Sequence, residues 1–180
     1  MEAAIVTLLF FTLLFAIMDG GILALAKNAV SSAARAGARS TSAAADDTYA
    51  DYVALQRIRV EISPLKPSQL QYIVVYKASA YGAAPAGACA GGSAVAGSCN
   101  VYRASDLTRP RTDFGCKSPS ALDGYWCPTT RKTALRAPGG PPDFVGVYIV
   151  ATQKLYTFVY GSSKTLTSRT VIRVEPRSQS

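Results

Sequence analysis

"LLFAIMDGGILALAKNA", Leu13 to Ala29, sets an aspartate and a pair of glycines inside a run that otherwise reads as a membrane-spanning helix. Its reading decides the fold, because Asp19 is the only charged side chain between Ala3 and Ala26. At about 1.5 Å per residue these 24 residues extend roughly 36 Å, enough to cross the hydrocarbon core of a bilayer. Thirteen of them are Leu, Ile, Phe or Val, each favouring insertion by about 0.3–0.6 kcal/mol. One aspartate near mid-membrane costs about 2.5–3.5 kcal/mol, so insertion wins. The run exceeds a signal-peptide core and no small-residue cleavage site precedes a polar mature start, which predicts a retained helix.

Outward from this stretch the helix continues. "ILALAKNAVSSAARAGARS" holds good helix formers, and no proline occurs before Pro64, so one helix is expected from about residue 2 to 39, with its later part projecting from the lipid. Ala26, Ala29, Ala33 and Gly37 recur at spacings of three or four and make a smooth stripe. Such a stripe admits another helix at close range, or it is a chance of alanine-rich composition. Residues 1–40 are thus read as a membrane anchor and helical stalk, with residues 45–180 as one α+β head.

In the head, Asp46 or Asp47 can cap a second helix running to about Ser63, with Tyr52, Leu55, Ile58 and Ile62 on one face and Pro64 and Pro67 ending it. "LQYIVVYKA" reads as a strand, followed from residue 82 to 142 by a Gly-, Pro- and Cys-rich loop region without evident elements. "DFVGVYIVATQ", "KLYTFVYG" and "TLTSRTVIRVEP" read as three more strands, completing a small, mostly antiparallel sheet. In the first of these both faces are apolar, one suited to pack on the second helix and the other to meet the Cys-rich loop or a neighbouring subunit.

Composition excludes much chemistry. The chain has no histidine, so no Ser-His-Asp triad, His-assisted cysteine nucleophile or His-ligated zinc can form. Cys89, Cys99, Cys116 and Cys127 lie at C-x9-C-x16-C-x10-C, too widely spaced for a zinc site and suited to disulfides formed outside the cytosol. Three pairings are formally open. The sequential one, Cys89 with Cys99 and Cys116 with Cys127, closes two short loops at about 3 kcal/mol each. The glycines of "GAAPAGACAGGSAVAG" lack the Lys-Ser/Thr pair of a phosphate loop. Glu61, Asp106, Asp113, Asp123 and Asp143 suggest no acid-base pair, and Trp126 reads as a packing aromatic. A net charge of +8 comes from scattered lysines and arginines rather than a nucleic-acid-binding run. No enzyme activity, metal or cofactor is expected.

Asp19 needs a partner at membrane depth. Lys27 is eight residues away, too far along one helix. The remaining partners are water near the interface, a cation on another helix, or hydrogen bonds made when such helices pack together. Glu2 raises the same question at the other end.

The start "MEAAIVTLLFFTLLFAIMDGG" followed by "NAVSSAARAGARS" resembles the TadE-like pilins of tight-adherence (Tad, type IVc) pili. The family has an early glutamate, an apolar run, a second acidic residue and an N-x4-AAR-x-GAR element, here Asn28, Ala33, Ala34, Arg35, Gly37, Ala38 and Arg39. "CNVYRASDL", "FGC", "YWCPTTRK" and "VGVYIVAT" also look like actinobacterial members. The resemblance implies a non-enzymatic subunit cleaved by a prepilin peptidase and passed by pilus assembly machinery from the membrane into a homo-oligomeric helical filament. Glu2, Asp19, Gly20, Gly21, Ala26, Ala29, Ala33 and Gly37 are the expected assembly residues, with Glu2 and Asp19 finding partners only in the assembled state. In this sequence Glu2 follows Met1 directly, without the basic leader of the family pattern. Lys27, Arg35 and Arg39 alone would favour the opposite orientation, but the cysteines put the head outside. The expected function is a structural subunit of a surface filament for attachment. The alternatives are a minor or accessory pilus protein, such as a tip adhesin or initiator, and a membrane-anchored extracellular binding domain.

Overall fold

An uninterrupted helix, α1 (Glu2–Ala44), opens the fold of the computed structural model, five residues longer than the sequence pattern suggests. The structure describes residues 2–118, 120–133, 141–157 and 161–175, with side chains from Val6 onward. At about 1.5 Å per residue α1 is roughly 65 Å long. It stops where Ala45 turns left-handed at φ 52°, its N–H still bonded to the Thr41 carbonyl. Two polar residues near this end are buried but satisfied. The Thr41 hydroxyl donates to the Gly37 carbonyl at 2.9 Å and the Ser42 hydroxyl to the Arg173 carbonyl at 2.6 Å.

The chain then folds back into α2 (Ala50–Glu61). Asp47 is not its cap: the carboxylate accepts the Tyr49 N–H at 2.8 Å one turn earlier, and the helix begins after Tyr49. Leu55, Ile58 and Ile62 are buried toward α1 and the sheet core. α1 and α2 approach so closely at Gly37 that a Cβ there would lie 2.6 Å from Ile58 Cδ1 and 3.4 Å from Val147 Cγ1.

Strands β1 (Leu70–Ala78), β2 (Cys99–Tyr102), β3 (Phe144–Lys154) and β4 (Ser163–Arg173) form one antiparallel sheet in the order β2-β1-β3-β4. The inner face, with Ile73, Val75, Val145, Val147 and Ile149, joins the helices in one core. It is α1, not α2, that lies across β3 and β4, and α1 therefore has two parts. From Ala26 to Ala38 its small residues are buried in the head, so the structural division of the chain falls inside α1 rather than near residue 40.

The outer face, with Val74, Tyr76 and Val171, is covered by the loop that carries α3 (Gly87–Ala90) and Cys89. Tyr76 lies across its register partner Gly146, where a Cβ would stand 2.3 Å from the ring, and its hydroxyl donates to the Ala83 carbonyl at 2.6 Å. Burial raises that hydroxyl's pKa to about 12.

Two expectations about strands need correction. "CNVY", inside the region read as irregular, is β2. It holds to β1 by register and to α3 through Cys99. "KLYTFVYG" is not a strand where it is described: Lys154 ends β3, Leu155 to Thr157 turn away from the sheet, and residues 158–160 lie outside the described residues.

Disulfides Cys89–Cys99 and Cys116–Cys127 close the two short loops. The second loop is held further by Asp123, whose carboxylate accepts the N–H groups of Gly115 and Cys116 at 2.8 and 3.1 Å. Burial, offset in part by these donors, raises the pKa of that carboxyl group. Beneath lies a fully buried polar cluster that the sequence reading missed. Asp51 of α2 accepts from Arg131 at 2.5 Å, Tyr102 at 2.7 Å and Asn100 at 2.9 Å. The Arg131 guanidinium stands 4.4 Å over the Trp126 ring, and Asn100 also bonds the Trp126 backbone. Burial and the neighbouring Asp51 charge raise the Tyr102 pKa well above the ordinary range.

Two outcomes follow from this packing. Gly37→Ala gains about 1 kcal/mol of helix propensity but overpacks α1 against Ile58 at a cost of about 1–3 kcal/mol. Net destabilisation is expected in thermal unfolding, and Ile58→Val should relieve it only in part, because it removes Cδ1 but leaves Cγ1 at 2.7 Å. Asp51→Asn leaves the Arg131 guanidinium buried without its counter-charge and should cost about 3–5 kcal/mol in denaturant unfolding.

Candidate functional site

The first part of α1 stands clear of the head. Val6, Leu8, Leu9, Phe10, Leu13 and Ile17 are each at least 60% exposed, with Phe11, Leu14, Phe15 and Met18 also on the surface. The aromatic rings meet one another, Phe10 with Phe11 and Phe11 with Phe15 at centroid distances of 5.9 and 6.3 Å. Thr12 hides its hydroxyl by donating to the Leu9 carbonyl at 2.9 Å. Left in water, these ten side chains would forgo on the order of 10 kcal/mol of apolar burial. Such a surface requires lipid or other apolar helices around it. Among the described residues α1 is the one helix long and apolar enough to cross a membrane.

Asp19 marks the lower boundary of the head. Its Oδ1 accepts the Tyr156 N–H at 3.0 Å, and its Oδ2 accepts the Thr157 N–H at 2.9 Å and the Thr157 hydroxyl. The side chain is fully buried. The expectation that this carboxylate finds partners only in an assembly is therefore wrong: its partners belong to the same chain. The physical reason is the descent of β3 beside α1. Where its ladder ends, two backbone N–H groups need acceptors, and a carboxylate on the adjacent helix supplies them.

The small-residue stripe is also used within the chain. Ala26, Ala29, Ala33 and Gly37 are buried against the head, so they offer no surface to a second copy, contrary to their expected assembly role. They let α1 lie close to its own sheet and α2. Gly20 and Gly21 differ. Gly21 is exposed, Gly20 half-buried, and a Cβ on either would meet nothing within 4 Å. Intramolecular packing does not account for their lack of a side chain. Glu2 is helical in its backbone, and its side chain lies outside the described residues. The four cysteines sit in the head, away from this helix, and staple its loops.

The signal that could have found the Asp19 partners is weak. Between Lys154 and Gly161, "KLYTFVYG" is apolar and aromatic except for Thr157, and nothing in it marks Tyr156 and Thr157 as donors to a distant carboxylate. The Asp51–Arg131 pair is separated by 80 residues, and no local pattern links the two.

No curated protein and no solved structure matches the chain. Its amino-terminal part does match a known family: residues 1–39 fit the family model described as TadE-like protein. The match covers the bare apolar segment, Asp19 with its two glycines, and the alanine-rich turn into the head, the same residues whose geometry sets the helix apart. The likeness to TadE-like proteins therefore lies in the amino-terminal helix, α1, and comprises residues 1–39.

Proposed function

We propose that this protein is a structural subunit of a Tad-like surface filament. It polymerises through the bare segment of α1 and waits in the cytoplasmic membrane, head outside, before assembly. The observation that carries this reading is the division of α1 at Asp19. One half is built into a stapled head, and the other is an apolar rod with no partner in its own chain among the described residues. Transfer from lipid to a bundle of identical rods keeps the apolar surface out of water in both states, so it needs no unfolding of the head. Glu2 contributes to register at the far end of the rod. Gly20 and Gly21 form a neck where neighbouring rods approach below the head. Asp19 acts indirectly, by fixing the angle at which the rod leaves the head, and the disulfides keep the head rigid outside the cell.

Quantifying this chain in sheared surface filaments tests the reading. A structural subunit should form the bulk of the filament protein. Presence at one or a few copies per filament would instead indicate an accessory or tip component, and retention in the membrane without filaments would indicate an anchored binding domain. Asp19→Leu should retain membrane insertion and a folded head. In this variant the Tyr156 and Thr157 amides should lose protection in hydrogen exchange, and filaments should be lost or altered in symmetry. Unchanged filaments together with unprotected amides would refute the role given to the clamp.

A further inference from the structure

The lower end of the head carries a groove between α1 and the foot of the sheet. It encloses about 620 Å³, with Ile22, Leu25 and Ala26 of α1 on one side and Lys66, Gln69 and Lys154 of the head on the other. The head wall is preformed: Gln69 accepts the Lys66 N–H at 2.7 Å and donates to the Gln153 side chain at 2.8 Å. Neither lysine is in an ion pair among the described residues, and no carboxylate lines the groove. Lys164, in register with Gln153 at the start of β4, adds charge to the same end of the sheet, and Lys27 is exposed on α1 just beyond the groove. The apolar wall lies on α1 just past the Gly20–Gly21 pair that follows the bare segment.

Its height along α1 is informative. Counted from Glu2 at about 1.5 Å per residue, Ile22 to Ala26 lie roughly 30–36 Å along the helix, where a hydrocarbon core of about 30 Å gives way to headgroups. Tyr156, also lining the groove and 74% exposed, has the amphipathic character of an interfacial aromatic.

We propose that this groove binds an anionic phospholipid of the head-side leaflet, with its phosphate between Lys66 and Lys154 and an acyl chain along Ile22 and Leu25. A zwitterionic lipid would bring its own cation against two ammonium groups and gain little. A second copy of this chain carries the same net charge of +8 and is the poorer occupant. The proposal rests on α1 lying in a bilayer, not on polymerisation.

The test reconstitutes the full chain in vesicles containing equal amounts of phosphatidylcholine and phosphatidylglycerol, then extracts it in mild detergent and quantifies the retained lipid by mass spectrometry. Phosphatidylglycerol should be enriched on the unaltered chain, and raised salt during extraction should lower the enrichment. Lys66→Gln with Lys154→Gln should reduce it by about fivefold per lysine. Lys117→Gln with Lys132→Gln, which removes equal charge from the opposite end of the head, should leave it unchanged. Equal retention of both lipids, insensitivity to salt, undiminished enrichment in the groove variant, or complete displacement by inorganic phosphate would overturn the proposal. A chain that fails to float with vesicles at all would refute membrane anchoring itself, a separate result.

Discussion

Between Met18 and Asp19 a helix that belongs in an apolar medium becomes a helix that belongs in a protein core, and the helix runs unbroken through the change. The backbone supplies its own hydrogen bonds throughout, which is what allows a single element to pass from one surrounding to the other. Only the side chains differ. Before the boundary they are Leu, Phe, Ile and Val, turned outward on every face. After it, Ala and Gly line one face and bring the sheet to within van der Waals reach. Asp19 secures the crossing because its carboxylate binds the first chain segment below the sheet and closes the core at its lower end.

That arrangement explains why the head can afford so much irregular structure. Its core is assembled on α1, and the stretch from Tyr81 to Arg131 need not build a core of its own. It needs only to be held. Two disulfides close its short loops, the Asp123 carboxylate collects two N–H groups of a tight turn, and Asp51 draws together Arg131 and, from β2, Tyr102 and Asn100. A buried ion pair adds little net stability over an apolar equivalent, but here it discriminates. Only one arrangement of the loops satisfies the carboxylate, and a misplaced loop would strand a charge.

The legible part of the fold was the part written in local pattern. The apolar run, the alanine-rich continuation, β1, β3 and β4 all show in periods or β-branched runs that neighbouring residues share. β2 was hidden because four residues are too few to display alternation, and its strand character comes from pairing with β1 and from Cys99. "KLYTFVYG" misled for the opposite reason, since its composition suits a strand but Asp19, 137 residues earlier, claims its backbone donors. Of the expected assembly residues, the alanine stripe was recognised as a surface for close helix packing, and composition could not say that the partner was the chain's own head. Long-range pairs such as Asp19 with Tyr156 and Asp51 with Arg131 carry no local signature in a single sequence.

That Asp19 and the small-residue stripe are engaged within the chain changes what the proposed polymerisation would have to accomplish. A rod that kept an unpaired carboxylate would have to find a partner for each subunit on entry, and an error would leave a charge in an apolar bundle. With Asp19 already satisfied, the rods between Val6 and Met18 would meet, in the proposed filament, as almost wholly apolar surfaces. Such surfaces are sticky but weakly selective in register, because neighbouring Leu and Phe side chains interdigitate at many offsets. Under that proposal selectivity would fall to the two ends: Glu2 at one, and at the other the Gly20–Gly21 neck beneath a head anchored to α1 by the Asp19 clamp. A rigid head would then be part of the proposed register mechanism, since steric contact between heads could correct a sliding rod only if each head were held firmly to its own helix.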